Sequence, residues 1–305
     1  MNYILGGGIT GLIWKYYRPE YKIITQNIGG QMASKFNLGP RLLHVNPDTE
    51  MLLKKLRLSV TKKKISVGYG YPIPTMFPRK NFREQYYFKS RNLNKTKVNN
   101  LDESVMTGNK SYYLAYTVEM DELVKALIEN INHNDIVQDK IISIDTKKQI
   151  VCTENSNFKY NKVISTIPKK IFCNLAKIPD SNYQSSSTLF VLTDYPQSMY
   201  IGYNYVYVSD DKTPFHRVSK IDQISKNLVF ELSEKYDICD LEKYFIQNNI
   251  DVKIIDSIRV AGTQIRTNLN TDKFSNIIFS GRYGTWNHNI KTEDVIREAK
   301  DHGQS

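Results

Sequence analysis

Tyr3-Ile4-Leu5-Gly6-Gly7-Gly8-Ile9-Thr10-Gly11-Leu12, close to the start of the chain, decides the predicted fold. An apolar run too short for a helix leads directly into glycines at the first, third and sixth places of G-x-G-x-x-G, and a helix-compatible segment, 12–17, follows. This order predicts a strand, a tight turn and a helix, with amides at the helix N-terminus placed to hold a diphosphate. The stretch indicates dinucleotide binding, and an ordinary structural turn is the alternative.

The composition describes a globular chain with a basic excess. The 305 residues are 40% hydrophobic and 24% charged, which predicts a sizeable core in one large or two interleaved domains. Lys and Arg number 42 against 31 Asp and Glu, a formal net charge of +11. That excess favours an anionic ligand, whether a diphosphate cofactor, a nucleotide-linked substrate or a nucleic acid.

Cysteine spacing and hydropathy indicate the cellular compartment of the protein. The three cysteines have no CxxC spacing, so neither a disulfide framework nor a metal site is indicated. No apolar run approaches the roughly 20 residues that cross a bilayer, so we expect no membrane partner. The sequence therefore predicts a cytoplasmic protein.

The end of the second predicted strand lacks an expected acid. Residues 21–26 read as a strand parallel to the first, where a dinucleotide-binding unit ordinarily places Asp or Glu to bind ribose hydroxyls. Thr25, Gln26 and Asn27 stand there instead. An amide such as that of Gln26 can bind a hydroxyl, but more weakly than a carboxylate can.

The next part of the chain mixes apolar and basic segments. The pattern over 48–64 predicts a helix that leads into a solvated basic turn at 62–64, and 65–78 predicts strand and loop. Basic residues alternate with aromatic ones over 79–91, which fits either a nucleotide or nucleic-acid site or a strand pair that covers a core. Residues 92–110 predict an exposed loop.

Further along, helical spacing over 120–131 predicts a helix. The strands predicted after it are 141–144, 149–153 and 163–168. From 185 to 266 short alternating strands dominate, with a plausible helix at 241–247. The strands predicted there are 188–192, 203–208, 227–231 and 253–260.

Four more motifs follow the first glycine turn at wide spacing. They are Gly29-Gly30 after the second strand, the run from Gly39-Pro40 to His44, Val163-Ile164-Ser165-Thr166-Ile167-Pro168, and Gly281-Arg282-Tyr283-Gly284 between a buried strand and the predicted helix 293–300. In this order the motifs resemble the FAD-dependent amine oxidase and UDP-galactopyranose mutase superfamily of flavoproteins. The run that ends at His44 resembles, more narrowly, the flavin loop of the mutases.

The resemblance implies an α/β fold. Its expected parts are a Rossmann-type FAD-binding domain, glutathione-reductase-like, and an inserted, reduced antiparallel α+β substrate domain. The implied FAD-binding domain is discontinuous and comprises 1–64, 116–180 and 271–305. The implied substrate domain comprises 65–115 and 181–270. In this arrangement the two ends of the chain meet around one FAD.

The resemblance also implies a set of site residues. The implied cofactor-binding residues are Gly6, Gly8, Ile9, Thr10, Gly11, Gln26, Gly29, Gly30, Gln31, His44, Thr166, Gly281, Arg282, Gly284 and Asn289. The implied catalytic residues are His44, Arg217 and Trp286. Arg282 is expected to pair with the diphosphate, and the last helix to face the flavin ring with its N-terminus.

Each of these assignments has a structural alternative. Arg217, Arg259 and Arg266 are candidates for an anionic substrate because a guanidinium matches phosphate or carboxylate, but each could equally be a scaffold arginine. His44 could be a hydrogen-bonded loop residue. For Trp286 and His288 the two alternatives are a place beside the flavin ring and ordinary packing in the protein.

Two departures from the family pattern accompany the resemblance. Arg41 stands where the mutase loop has its first histidine, and Ile290-Lys291-Thr292 stands where the family usually has an Asp-Met-Asp-like step.

Three functions remain open at this level. The first is an FAD-dependent oxidoreductase that moves a hydride from a carbon next to nitrogen or oxygen to flavin N5. The second is a mutase-like reaction that uses reduced FAD without net redox. The third is an FAD enzyme, or a degenerate flavin fold, that acts on or binds nucleotides or DNA. The expected partner is a small anionic or nucleotide-linked substrate, and the oligomeric state stays open.

Overall fold

The structure is a computed structural model that describes residues 1–30, 43–71, 75, 81–91, 112–118, 120–179, 183–194, 202–220, 227–265, 274–287 and 289–302. The strands are β1 Asn2–Gly8, β2 Lys22–Gly29, β3 Lys62–Tyr69, β4 Tyr112–Tyr116, β5 Ile136–Gln138, β6 Ile141–Asp145, β7 Ile150–Thr153, β8 Asn157–Lys159, β9 Lys162–Ser165, β10 Ser185–Thr193, β11 Tyr205–Tyr207, β12 Phe215–Lys220, β13 Leu228–Ser233, β14 Ile254–Ile265 and β15 Ile277–Phe279. The helices are α1 Ile9–Tyr17, α2 Pro47–Lys55, α3 Phe82–Arg91, α4 Met120–Glu129, α5 Lys169–Leu175, α6 Ile238–Gln247, α7 Gly281–Gly284 and α8 Thr292–Asp301.

A five-stranded sheet carries the first glycine turn. Its order is β15-β9-β1-β2-β5, and every neighbouring pair in it is parallel. Ile4 and Leu5 on the central strand are fully buried, as expected for a parallel sheet covered on both faces. The sequence-based predictions of a parallel second strand and of a strand at 163–168 that returns to this sheet are both confirmed.

Three helices cover one face of the parallel sheet. Apolar residues of α1, α4 and α8 form one core with the sheet strands. Its members from α1 are Leu12, Ile13 and Trp14, and its members from α8 are Val295, Ile296 and Ala299. The last helix of the chain therefore packs beside the first one, which follows the glycine turn.

A second, seven-stranded sheet has the order β14-β10-β13-β12-β11-β3-β4. Most of its pairs are antiparallel, but β11 runs parallel to β3. The expectation of a purely antiparallel sheet is therefore corrected to a mixed one. A small antiparallel sheet, β6-β7-β8, completes the α/β architecture. The predicted domain boundaries stay a prediction.

Two local predictions were wrong. The basic and aromatic segment forms helix α3 instead of a strand pair, because Phe82 and Tyr86, four residues apart, lie on one helical face, where their rings stack 6.2 Å apart. The basic run 62–64 is not a turn but the start of β3. There Lys64 lies over the ring of Tyr112, 4.2 Å from its centroid, so a strand neighbour supports it.

Some predicted features fall outside the described residues. They are the loop 92–110, the positions Gln31, Gly39, Pro40 and Arg41, and the candidate residues Arg266 and His288. Within the described part of the chain, no helix combines the length and the apolar character needed to span a membrane.

Candidate functional site

The first glycine turn tolerates no side chain at two of its positions. Gly6 has φ of +103°, and a Cβ there would lie 2.7 Å from Oγ1 of Thr166. A Cβ on Gly11 would lie 2.0 Å from the carbonyl oxygen of Gly6, so strand and helix approach too closely for any other residue. The turn is therefore built as its sequence predicts.

The end of β9 holds this turn in place. The hydroxyl of Thr166 donates to the carbonyl oxygens of Leu5 and Gly6, at 2.9 and 3.2 Å, and its backbone N–H also donates to Leu5. Thr166 thus fastens the carboxyl end of β1 to that of β9. Carboxyl ends of parallel strands are where ligands bind in open α/β sheets.

Gly8 is the open position of the turn. A Cβ on Gly8 would meet no atom of the described residues within 4 Å, although α1 begins at the next residue, Ile9. The second glycine motif runs alongside, since Gly8 pairs with Gly29 and a Cβ on Gly30 would lie 3.0 Å from the Cα of Gly8. Backbone from two motifs therefore borders an open space at a helix N-terminus.

The C-terminal motif packs onto the same turn. Gly281 has φ of +73°, and a Cβ there would lie 2.6 Å from Oγ1 of Thr10. A Cβ on Gly284 would lie 2.6 Å from the carbonyl oxygen of Ser165. The structure therefore brings together the two ends of the chain and the 163–168 segment, as the sequence predicts.

Arg282 places a positive charge at this junction. Its side chain is partly buried, and within the described residues no hydrogen bond or ion pair engages its guanidinium. Burial lowers the pKa of Arg282, and the nearby charge of Arg217 lowers it further, whereas Tyr283 and Tyr207 act in the opposite direction. Arginine nevertheless stays charged, and no anionic group of the described residues pairs with this cation.

Arg217 approaches from the seven-stranded sheet and is paired. Its Nε donates to Oε1 of Glu231 at 2.7 Å, and Glu231 is 1% exposed. Burial alone would lower the pKa of Arg217, but the charge of Glu231, with Tyr86 and Tyr207, raises the pKa above its ordinary value. The ion pair therefore offsets the charge of Arg217, in contrast to that of Arg282.

A β-bulge creates this pairing. The register between β12 and β13 shifts between Phe215 and Arg217, so that His216 and Arg217 both lie opposite Glu231. The Nε2 of His216 lies 3.7 Å from Oε2 of Glu231, and its ring lies 5.9 Å from that of Tyr86. The bulge thus directs two adjacent side chains to one buried carboxylate.

The remaining predicted residues are exposed or pair with other parts of the fold. Gln26 and Asn289 are exposed, and His44 forms an isolated bridge with Ala115. Arg259 donates to the backbone carbonyls of Glu234 and Tyr236, as a scaffold arginine does.

Trp286 combines burial with an unusual backbone. It is 2% exposed, has φ of +55°, and packs edge to face on Tyr183 with 5.4 Å between the ring centroids. Among the described residues its indole N–H has no hydrogen-bond partner, which is uncommon for a buried donor.

Sequence reasoning missed three residues that shape the site. Thr25 accepts a hydrogen bond from the N–H of Gly7 at 2.9 Å, and donates to the carbonyl oxygen of Asn27. Ser280 accepts from Nε1 of Trp14 and donates to Glu298. Glu231 is the third. The sequence did carry a signal for Glu231, because it is a charged residue within the largely apolar strand β13.

No group of three or more potential metal ligands occurs in the described part of the chain. No disulfide joins any two of the described cysteines, which are Cys152, Cys173 and Cys239.

The parallel sheet with its glycine turn, combined with the mixed sheet, defines a fold shared with solved enzyme structures. A reduced UDP-galactopyranose mutase matches with a TM-score of 0.73 and 12% identity, over 99% of this chain and 92% of that one. The CLA-producing fatty acid isomerase from P. acnes matches with a TM-score of 0.65 and 12% identity, over 99% and 97%. An oxidoreductase from Methanosarcina mazei matches with a TM-score of 0.64 and 11% identity, over the full length of both chains.

At these identities the likeness shows the fold alone. It confirms the predicted resemblance as far as the fold is concerned, which this chain shares with the UDP-galactopyranose mutase structure. No family model and no curated protein sequence matches the chain.

Proposed function

We propose that this protein is a flavoenzyme that binds FAD at the junction of its two termini and acts as an oxidoreductase. One observation carries the proposal. The open space at Gly8 lies at a helix N-terminus that packs against Gly281, and the next residue, Arg282, carries a guanidinium that forms no hydrogen bond or ion pair within the described residues. Amides at a helix N-terminus together with a guanidinium form a site for a diphosphate.

The residues at the diphosphate end fit FAD. The cradle formed by Gly8 and Gly30 would be filled by any Cβ at position 8, and Arg282 would receive the anion that it lacks. The ribose end offers less, because Thr25 is engaged with Gly7, which leaves the exposed amides of Gln26 and Asn27 to bind hydroxyls. We therefore expect FAD to be held chiefly through its diphosphate.

The chemistry that FAD supplies when bound is acceptance of a hydride at N5 from a substrate carbon next to nitrogen or oxygen. The chain itself contributes binding and orientation. Arg217 lies on the seven-stranded sheet close enough to Arg282 for their charges to interact. We propose that it orients an anionic or nucleotide-linked substrate with the donors that Glu231 leaves free.

A mutase-like reaction with reduced FAD and no net redox is the second candidate. The structural match to UDP-galactopyranose mutase over nearly the whole chain favours it, as does a pair of arginines suited to a nucleotide diphosphate. The replacement of the first loop histidine by Arg41 counts against it.

FAD binding is tested by the absorbance spectrum of the purified protein and by the dissociation constant for added FAD. Gly8→Val should abolish binding and leave the fold intact, because the new side chain enters open space. Arg282→Ala should raise the dissociation constant about ten-fold or more, since a charge-assisted hydrogen bond is lost. Arg57→Ala, at an exposed arginine, is the matched control. Full FAD retention by both site variants would overturn the proposal.

The reaction is tested once FAD is bound. Reduction of the bound FAD by an amine, with release of peroxide in air, supports the oxidoreductase. Conversion of UDP-galactopyranose only after reduction by dithionite supports the mutase. A protein that binds no FAD but retains DNA in a salt-sensitive manner would instead be a basic binding protein.

A further inference from the structure

Three side chains form a hydrogen-bonded chain behind the C-terminal motif. The indole Nε1 of Trp14 donates to Oγ of Ser280 at 2.7 Å, and that hydroxyl donates to Oε2 of Glu298 at 2.5 Å. Trp14 lies on α1, Ser280 directly precedes Gly281, and Glu298 lies on α8. The chain thus connects the helix of the first glycine turn, the C-terminal turn and the last helix.

Ser280 is fixed on every side. Trp14 and Ser280 have no exposed surface, and the backbone N–H of Ser280 donates to the carbonyl oxygen of Ser165. With its hydroxyl oriented between one donor and one acceptor, Ser280 has no freedom to rotate. Because Ser280 is fixed, the backbone position of the next two residues, Gly281 and Arg282, is restricted as well.

Glu298 differs from its two partners because it is reachable from solvent. The residue is exposed, while its carboxylate end turns inward to Ser280. Burial of that carboxylate raises the pKa of Glu298, and the hydrogen bond from Ser280 acts in the opposite direction. An exposed stem means that a substitution at Glu298 leaves no cavity in the core.

We propose that Glu298 is a positioning residue for the cofactor site: through Ser280 it holds the Gly281–Arg282 turn against α1, so that the guanidinium meets the diphosphate. This inference rests on the proposed function, because it requires a bound FAD. Glu298 itself touches neither cofactor nor substrate. The carboxylate instead restricts the position of Arg282 through its hydrogen bond with Ser280.

For Glu298, the expected result is a loss of FAD affinity without a matching loss of stability. Glu298→Ala and Ser280→Ala should each raise the dissociation constant for FAD about ten-fold. Glu298→Gln should stay within about two-fold of the unsubstituted protein, because the amide oxygen still accepts from Ser280. Rescue by the amide distinguishes a positioning role from a purely electrostatic one.

Trp14 provides a readout that does not depend on activity. The chain contains two tryptophans, so Trp286→Phe leaves Trp14 as the sole indole fluorophore. In this background Ser280→Ala should shift the emission of the apoprotein, because the indole loses its acceptor. FAD titrations followed by quenching of the same emission give the dissociation constants.

A matched variant separates positioning from stability. Val295→Ala truncates a buried residue of α8 outside the hydrogen-bonded chain. If it weakens FAD binding as much as Glu298→Ala at an equal drop in Tm, the role of Glu298 is merely structural and the inference falls. If the unsubstituted protein binds FAD and Glu298→Ala binds it equally well, the inference fails while the proposed function stands. If the unsubstituted protein binds no FAD, the proposed function fails and the inference fails with it.

Discussion

Gly281 lies directly against Thr10, so that a Cβ at position 281 would stand 2.6 Å from Oγ1 and 2.8 Å from Cγ2 of that threonine. The contact joins the turn that carries Arg282 to the first turn of α1. It brings the two ends of the chain together at one place, and glycine-to-alanine substitutions, which each add one methyl group, can test this contact.

Gly281→Ala should lower both stability and FAD affinity. The substitution adds a strained conformation at φ of +73°, costing about 1–2 kcal/mol, and a collision with Thr10. Gly262→Ala is the control, since it has a similar φ of +68° but its Cβ would meet only Ser185 Oγ at 3.9 Å. We expect urea denaturation to show a larger loss for Gly281→Ala, and FAD titration to show weaker binding for that variant alone. Equal behaviour of the two variants would mean that the contact with Thr10 is unimportant.

The parallel sheet and its site could be predicted because their signals are local. The steric demands on Gly6 and Gly11 are set within one turn, and a short apolar run on either side defines the strand and the helix. The basic and aromatic segment carried no such constraint. Its alternation fits a strand as well as a helix, and the burial of Phe82 and Tyr86 against the seven-stranded sheet decided in favour of α3.

Thr25→Val should destabilise the glycine turn. Thr25 is 5% exposed, and its hydroxyl accepts from the N–H of Gly7 at 2.9 Å and donates to the carbonyl oxygen of Asn27 at 2.8 Å. Valine has the same shape but leaves both backbone groups unpaired, which costs about 1–3 kcal/mol. Thr25→Ser keeps the hydroxyl and should lose less. Chemical denaturation of the three proteins measures the difference, and identical curves for valine and serine would contradict it.

The polar part of the site was less predictable than the glycines. The sequence shows that Thr25 and Gln26 replace the usual acid, but not that Thr25 turns back to the strand beside it. Glu231 was missed for a related reason. Its partner is selected by the bulge at His216, and a shift of one residue in register changes which side chain lies opposite.

The ion pair between Arg217 and Glu231 should show strong coupling. Glu231→Leu leaves a largely buried guanidinium without its counter-charge, and we expect a loss of about 2–3 kcal/mol. Arg217→Met should also destabilise, because it removes the guanidinium that pairs with the buried carboxylate. The double variant Arg217→Met with Glu231→Leu should recover most of the loss, since two apolar groups replace the pair. Urea denaturation at pH 7 of all four proteins gives the coupling energy, and simple additivity would show that the two residues act independently.

Lys89 on α3 carries a buried amine that should make stability depend on pH. It is 3% exposed, and its Nζ donates to the carbonyl oxygen of Asp210 and to the hydroxyl of Thr213. Burial lowers the pKa of Lys89 to about 7, although the charges of Asp210 and Asp211 act to raise it. Between pH 7 and the unfolded-state pKa near 10.5, the unfolded chain therefore binds a proton that the folded protein does not.

Because the unfolded state binds more protons in that window, the free energy of unfolding should rise with pH by about 1.4 kcal/mol per unit through this group. Lys89→Met removes this pH dependence. The free energy of unfolding of the variant should therefore be closest to that of the unsubstituted protein at pH 7 and should fall progressively below it towards pH 10. The lost hydrogen bonds add an offset that is the same at every pH. Urea denaturation at pH 7, 8 and 9 measures the slope, and parallel curves for Lys89→Met and the unsubstituted protein would show that the amine of Lys89 is protonated in the folded state throughout.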